Sequence, residues 1–214
     1  MTDFLWTRPD TAPVATLLLA HGSGAPMDSP FMEKFAAFAA RQGIAVARFE
    51  FPYMADRRVT GKKRPPPRAD KLIDAYLAAI SQIADEAQGP LLIGGKSLGG
   101  RVAAMAAGDP ALDAHVAGVV CLGYPFHPPA KPEDTRLEPL LALPLPCLIA
   151  QGERDPFGNR DEVAGYGLPE AIEVIVMEDG SHDLAPRGAS PATWDGNLRI
   201  AADAVRQFAE RIAG

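Results

Sequence analysis

An apolar run that ends abruptly in a serine between glycines limits what this chain can fold into more than any other stretch. The run spans residues 91–93, and the motif that follows, Gly95 to Gly99, has the form G-x-S-x-G with Ser97 at its centre. This pattern predicts a buried strand, a strained turn and a helix start, with the serine hydroxyl exposed above the end of a parallel sheet. Flanking glycines let neighbouring backbone pass close to the turn. Ser97 is therefore the candidate nucleophile.

Two other interpretations compete with the nucleophile turn. Gly95-Lys96-Ser97 also ends a phosphate-loop pattern, but the first glycine of that pattern would have to stand at Pro90, and Gly89 is one position too early. The second alternative is a chance match in a glycine-rich turn. The choice depends on whether the partners that a serine nucleophile needs occur elsewhere in the chain.

Length and charge indicate one domain over residues 1–214, in a soluble protein with small-molecule or neutral partners. A chain of 214 residues with 47% hydrophobic content can bury one well-packed core. The net charge of -6 argues against a nucleic-acid partner. Residues 1–12 lack the apolar core of a signal peptide, and no run reaches the ~20 apolar residues of a membrane span, so a cytoplasmic protein with no membrane partner is expected. No pattern indicates the oligomeric state.

The cysteines and histidines show no sign of a disulfide or a metal site. Cys121 and Cys147 both lie in apolar, strand-like runs, which favours reduced core thiols. The four histidines lack metal-ligand spacing, so we expect neither a metal nor another cofactor. These histidines are His21, His115, His127 and His182.

Strand-length apolar runs alternate with helical patterns along the chain, which is typical of a mainly parallel sheet with helices on both faces. Because the nucleophile strand must lie beside the first strand at the switch point, we expect the core order second, first, third, fourth, fifth, sixth. Residues 4–7 are expected to add an edge strand. The predicted core strands cover residues 14–20, 44–51, the run beginning at 91, 116–123, 145–151 and 171–177.

One basic, proline-rich segment, residues 53–68, is predicted to be a mobile loop, because its prolines prevent regular structure. It has no carboxylate after Asp56, although the chain as a whole is acidic. A solvated loop is one interpretation, and a flap that guides an anionic group toward the site is the other. The cations of this segment are Arg57, Arg58, Lys62, Lys63, Arg64 and Arg68.

The partners of a serine nucleophile occur in the expected order. A serine needs a base that takes its proton and a carboxylate that holds that base in the right tautomer. Asp155 follows the fifth core strand and His182 follows the sixth, so the chain order is Ser, Asp, His. Asp155 fits the position of the orienting carboxylate better than its neighbours. These neighbouring carboxylates are Glu153, Asp179 and Asp183.

Two further groups of residues are assigned to the same sheet edge. The oxyanion of an acyl-transfer intermediate needs backbone N–H donors, and Leu98 and Ser23 are the candidates, the latter from the loop after the first strand. Tyr124, Phe126 and His127 follow the fourth strand, so some of them are expected to border the substrate pocket. The alternative for these three is a packed turn fixed by prolines.

Together these segments resemble the α/β-hydrolases, and in particular dienelactone-hydrolase-like esterases. A narrower similarity is to small bacterial relatives of a hydrolase-like domain found in a chromatin-complex subunit and a testis-expressed protein. The resemblance covers nearly the whole chain and rests on residues 21–28, 94–100, 123–129 and 152–158.

The resemblance implies the α/β-hydrolase fold with little or no lid and the triad Ser97, Asp155 and His182, but it implies no particular substrate. Typical dienelactone hydrolases have a cysteine where this chain has Ser97, which argues against dienelactone itself. The leading hypothesis is a serine hydrolase that cleaves a small ester or thioester. The alternative is a non-enzymatic interaction module on the same scaffold, since a fold does not determine a function.

Overall fold

Seven strands form one sheet in the computed structural model, which describes residues 2–214. The strands are β1 (Leu5–Thr7), β2 (Ala15–Ala20), β3 (Ile44–Phe49), β4 (Leu91–Lys96), β5 (Val116–Leu122), β6 (Cys147–Gly152) and β7 (Ile172–Met177). Their order across the sheet is β1-β3-β2-β4-β5-β6-β7, and only the β1–β3 pair is antiparallel. The predicted order of the six core strands is confirmed, and the expected edge strand is β1.

Helices cover both faces of the sheet. They are α1 (Pro30–Arg41), α2 (Pro52–Thr60), α3 (Ile73–Ile83), α4 (Leu98–Ala107), α5 (Glu138–Leu141), α6 (Arg160–Ala164) and α7 (Trp194–Ala213). The predicted helix after the basic segment is α3 with a 3-10 turn at each end. Helices α1 and α7 pack on one face, and α3 and α4 pack on the other. Within residues 2–214, no helix is long and apolar enough to cross a bilayer.

The central strands are apolar on both faces because both faces are covered. Leu17 and Leu19 of β2 belong to the core under α1 and α7, whereas Leu18 and Ala20 belong to the core under α3 and α4. This alternation follows from the two-residue period of a strand. Continuous apolar runs of this kind are typical of parallel sheets, and for that reason the sequence alone predicted these strands.

The two cysteines lie in the core with free thiols. Cys121 of β5 and Cys147 of β6 are both buried. The hydrogen bond with Cys121, together with burial, raises the pKa of the Cys147 thiol well above its ordinary value. A thiol kept protonated is a poor nucleophile, so Cys147 has a structural role.

The basic segment differs from its prediction. Residues 53–60 lie in α2 and not in a loop, with Pro52 in the first turn and Gly61 as a left-handed cap at φ 70°. Arg58 forms ion pairs with Asp28 (2.9 Å) and Glu50 (2.6 Å), which hold α2 against the sheet edge. Residues 61–68 have no regular structure and are exposed. The loop prediction is therefore wrong for the first half of the segment.

Candidate active site

Ser97 occupies a strained turn between β4 and α4, at the carboxyl edge of the sheet. Its backbone has φ 52° and ψ −113°, a conformation that costs a non-glycine residue about 1–3 kcal/mol. The N–H of Ser97 donates to the carbonyl of Leu122 at the end of β5, at 3.0 Å. The turn is thus held in place by the neighbouring strand while the serine side chain stands above the sheet.

Glycines around this turn are required by close backbone packing. A Cβ on Gly99 would lie 2.6 Å from the carbonyl oxygen of Ala20, and a Cβ on Gly95 would lie 2.3 Å from the carbonyl carbon of Gly99. Both distances are far below van der Waals contact. The start of α4 is therefore packed directly on the ends of β2 and β4, which fixes the position of Ser97.

Ser97, His182 and Asp155 form one hydrogen-bonded chain. His182 Nε2 lies 2.8 Å from Ser97 Oγ, and His182 Nδ1 lies 2.8 Å from Asp155 Oδ2. A carboxylate only accepts, so the Nδ1–H donates to Asp155 and Nε2 is free to accept from the serine hydroxyl. The three residues that the sequence singled out come from three different loops, after β4, β6 and β7, and the structure brings them together.

Asp155 is fixed by two further donors, one of which the sequence analysis missed. The residue as a whole is 1% exposed. Its Oδ2 also accepts from Gln151 Nε2 at 2.9 Å, and its Oδ1 accepts from the backbone N–H of Phe157 at 2.8 Å. Gln151 is fully buried within β6. A lone amide in an otherwise apolar strand was the sequence signal that could have identified it.

The other carboxylates near the triad have different partners. Hydrogen bonds from Arg187, with a smaller contribution from a second arginine, lower the pKa of Asp179 to about 2. Glu153 accepts from the backbone N–H of Asp179 at 2.7 Å. Asp183 lies 3.2 Å from the ammonium of Lys96, which is itself buried. None of the three contacts the triad histidine among the hydrogen bonds of residues 2–214.

His21 holds the loop that lies against the serine. Its Nδ1–H donates to the carbonyl of Gly22 at 2.5 Å, and its Nε2 accepts from the N–H of Phe51 at 3.1 Å. Burial lowers the pKa of His21, which keeps the ring neutral and this tautomer in place. A Cβ on Gly22 would lie 3.8 Å from the Cβ of Ser97, so the loop runs directly beside the candidate nucleophile.

The backbone N–H groups at this point that have no acceptor within residues 2–214 include those of Ser23 and Leu98. The Gly22 carbonyl faces the imidazole of His21, and in a trans peptide the next N–H points the opposite way, so Ser23 N–H points away from that ring. The Ser23 carbonyl accepts from Tyr53 at 3.1 Å. The carbonyls of Gly22 and Ser23 thus accept hydrogen bonds from side chains, whereas the Ser23 N–H has no acceptor within residues 2–214.

The three residues expected at the pocket rim lie in the core. Tyr124 and Phe126 are 0% exposed and His127 is 3% exposed. The Phe126 ring packs on Tyr124 at 4.9 Å and on Tyr166 at 5.3 Å between ring centroids. The prediction that these side chains border the pocket is therefore wrong, and the packed turn is the correct alternative. Of this segment, Pro125 lines the cavity.

A cavity of about 680 Å³ opens beside Ser97 and His182. Phe157, which forms part of its wall, packs against the His182 ring at 4.3 Å between centroids. Aromatic and aliphatic side chains line part of the wall, and four cations line the rest, two of which no sequence motif had indicated. The apolar members include Phe31, Met32, Phe157 and Trp194, and the cations are Arg68, Lys96, Arg101 and Arg136.

Known proteins share this architecture. A family model described as an alpha/beta hydrolase domain matches residues 13–210. The chain is similar to the solved structure of a dienelactone hydrolase from Anabaena variabilis, with a TM-score of 0.72 and 21% identity over 96% of this chain and 89% of the other. An alpha-beta serine hydrolase homologue from Coxiella burnetii has a TM-score of 0.68 and 19% identity, with coverages of 98% and 90%.

A third similar structure is an α/β serine hydrolase without lid from Xanthomonas campestris, with a TM-score of 0.65 and 19% identity over 98% of this chain and 88% of the other. At these identities the likeness to solved structures shows the fold, and the family model adds the family. The predicted similarity to dienelactone-hydrolase-like proteins is confirmed. The narrower similarity to the chromatin-associated and testis-expressed proteins stays a prediction.

Proposed function

The chain belongs to the α/β-hydrolase family, and we propose that it is a serine hydrolase that cleaves a small carboxylic ester or thioester through an acyl-enzyme intermediate. The observation that carries this proposal is the hydrogen-bonded chain from Ser97 through His182 to Asp155, with 2.8 Å at each of its two links. A serine, a base and an orienting carboxylate in this geometry are the parts that nucleophilic acyl transfer requires.

In the first step, Ser97 Oγ attacks the carbonyl carbon of the substrate while His182 Nε2 takes the hydroxyl proton. Asp155 stabilises the resulting imidazolium through the Nδ1–H bond and keeps the ring oriented. His182 then gives the proton to the leaving alcohol or thiol, which leaves the acyl group on Ser97. The 2.8 Å separation between Oγ and Nε2 lies within the range for direct proton transfer.

We assign to the N–H groups of Ser23 and Leu98 the role of stabilising the negative charge that develops on the carbonyl oxygen. Backbone donors that are already oriented need no rearrangement when the charge appears, and one such donor typically contributes about 10²–10³ in rate. Water then attacks the acyl-enzyme with His182 as base, and the acid product leaves. None of these steps calls for a metal or another cofactor.

A cavity of about 680 Å³ is in the size range of small-molecule sites, which supports a low-molecular-weight substrate. The net charge of -6 is unfavourable for binding a polyanion, so nucleic acid is not proposed as a partner. We expect the protein to act in the cytoplasm, as proposed from the sequence.

Two measurements test the proposal together. A fluorophosphonate probe should label the wild-type protein at Ser97 and should not label Ser97→Ala, and a series of activated esters of increasing acyl length should be hydrolysed by the wild type alone. Ser181→Ala is a matched control, because Ser181 is the serine next to His182 in the chain but takes no part in the proposed chemistry. A wild-type protein that neither reacts with the probe nor hydrolyses any ester would instead favour the interaction module.

A further inference from the structure

The cavity beside Ser97 has two chemically different ends, because Phe31 and Trp194 belong to α1 and α7 on one face of the sheet and Arg101 belongs to α4 on the other. At one end the ammonium of Lys96 lies 5.4 Å from the Phe31 ring centroid and 3.2 Å from the carboxylate of Asp183. The indole N–H of Trp194 donates to the backbone carbonyl of Asp183 at 2.8 Å. This end is aromatic, and its cation Lys96 has a carboxylate partner.

The other end contains Arg101 and Arg136, whereas Arg68, the fourth cation that lines the cavity, pairs with Asp70 at 3.2 Å. Arg101 lies on α4 one turn after the serine, with its N–H donating to the Ser97 carbonyl at 3.1 Å, which puts the two residues about 6 Å apart along the helix axis. Arg136 approaches from the segment before α5, where its N–H donates to the Phe126 carbonyl at 2.7 Å. Among residues 2–214, its guanidinium donates only to the carbonyl of Pro125, at 3.5 Å.

Neither guanidinium forms an ion pair within residues 2–214. The Nε of Arg101 is buried and has no hydrogen-bond acceptor in that part of the chain. A buried donor that has lost water without gaining an acceptor is destabilising, all the more so when it is charged. By contrast, many other arginines of the chain have a carboxylate within 4 Å; among them are Arg8, Arg58, Arg154, Arg160, Arg187, Arg206 and Arg211.

The two arginines also repel one another. Burial lowers the pKa of Arg136, and the positive charge of Arg101 lowers it further, with a smaller opposing effect from the carboxylate of Asp134. Two like charges that are partly buried and line the same cavity are stabilised when an anion binds between them. The planar guanidinium fork binds carboxylate and phosphate oxygens in pairs, a geometry that an ammonium group does not offer.

We propose that Arg101 and Arg136 form a subsite for an oxyanion carried by the substrate, a carboxylate or a phosphate. The substrate class is then an ester or thioester with an anionic group in its acyl or alcohol part, a few bonds from the carbonyl that Ser97 attacks. This inference rests on the proposed function for its chemistry. The arginines bind the anion, Ser97 attacks the carbonyl, and the aromatic end accommodates the uncharged remainder.

Matched ester pairs test the subsite. Mono(4-nitrophenyl) glutarate and 4-nitrophenyl pentanoate have acyl chains of equal length and differ by one carboxylate, whereas 4-acetoxybenzoate and 4-methylphenyl acetate differ by a carboxylate in the alcohol part. The wild type should prefer the anionic member of one pair by about 10–100-fold in kcat/KM, the usual value of a charged hydrogen bond. Arg101→Gln and Arg136→Gln should each remove most of that ratio.

Three further variants distinguish loss of the anion subsite from a folding defect. Arg101→Lys and Arg136→Lys keep the charge and should retain part of the ratio. Arg160→Gln removes an arginine that is paired with Glu153 at 2.8 Å and does not line the cavity, so it should keep the full ratio. A wild type that hydrolyses esters without preferring an anionic one, or a preference that survives both glutamine substitutions, overturns the inference.

A binding measurement separates failure of the subsite from failure of the proposed function. In Ser97→Ala, millimolar glutarate or inorganic phosphate should raise Tm, and the larger of the two rises identifies the oxyanion. Adding Arg101→Gln should abolish the rise. If no ester is hydrolysed and no probe reacts, an arginine-dependent rise still supports the subsite while the hydrolase proposal fails; the absence of any rise in that case overturns the subsite as well.

Discussion

Two turns at the same edge of the sheet have opposite roles. The turn after β4 lifts Ser97 above the sheet, where it faces the cavity. The turn after the neighbouring strand β5 begins at Gly123 and directs Tyr124 and Phe126 into the core, where both are fully buried. Both turns contain glycine and both follow buried parallel strands, and the sequence predicted site residues in each.

The hydrogen-bond partners of the two turns account for their opposite roles. In the β5 turn, the side chain of Gln151 accepts from the N–H of Tyr124 at 2.9 Å and donates to its carbonyl at 3.2 Å, so that this residue is bound like a strand residue. In the described part of the chain, the Ser97 hydroxyl is hydrogen-bonded only to His182, which itself borders the cavity. Strand position therefore predicts which residues lie near a site, and side-chain partners decide which of them face it.

The comparison is most strongly tested at Ser97. Ser97→Ala and His182→Ala should each lower kcat by about 10⁴–10⁶, and the double variant should be little worse, because the members of one catalytic unit are not additive. Steady-state hydrolysis of an activated ester measures this effect. Two losses that multiply in the double variant would show that the residues act independently.

Asp155→Asn should have the next largest effect. The amide can donate where the carboxylate only accepts, so the histidine is turned toward the wrong tautomer, and a loss of about 10⁴ in kcat is expected. Gln151→Met, which removes a donor to Asp155 without touching His182, should cost much less in kcat. Equal losses in the two variants would mean that the carboxylate position, and not the tautomer, limits the rate.

Two phenylalanines give a matched test of the two roles. Phe126→Ala should lower the free energy of unfolding by about 3–5 kcal/mol, because it empties a packed core site, and should leave the relative rates of different esters unchanged. Phe157→Ala, at the cavity wall beside His182, should change those relative rates with a smaller effect on unfolding. Denaturant unfolding and an ester series measure both, and altered ester preference in Phe126→Ala would restore the pocket interpretation.

The smallest expected effect concerns His21, which stands in a third turn at this edge. Because burial lowers its pKa in the folded state, the unfolded chain takes up the proton first as pH falls. The stabilisation is therefore complete above the unfolded value of about 6.5 and is lost below it, by at most about 2 kcal/mol at pH 5. His21→Gln should flatten this dependence of unfolding free energy on pH, whereas His115→Gln should retain it.

Much of the fold could be predicted because the parallel strands are apolar along their whole length and the nucleophile turn fixes which strands are neighbours. Helix α2 was missed although its boundaries were marked, with Pro52 at the start and Gly61 at the end, an arrangement typical of helices. The six cations suggested solvation, but Arg58 is neutralised by Asp28 and Glu50, which are 30 and 8 residues away in the chain. Ion pairs between distant residues leave no local pattern.

The residues of the candidate site also differ in whether the sequence alone could identify them. Ser97, Asp155 and His182 were accessible to sequence reasoning because their order and their positions after strands are set by the chemistry. Arg101 and Arg136 were not, because their significance lies in the carboxylates that they lack within the described chain, and such a property exists only once the chain is folded. Gln151 is an intermediate case, because the sequence shows a polar residue in an apolar strand but does not show its hydrogen-bond partners.

The close packing of Gly95 and Gly99 has a consequence for laboratory evolution of this chain. Any side chain at either position meets backbone atoms, which cannot move aside as a side chain can, so random substitutions there should yield no folded clones. Ala25, Pro66 and Pro67 line the cavity and are exposed. Libraries directed at these three positions can change the shape of the cavity while the turn that carries the serine keeps its geometry.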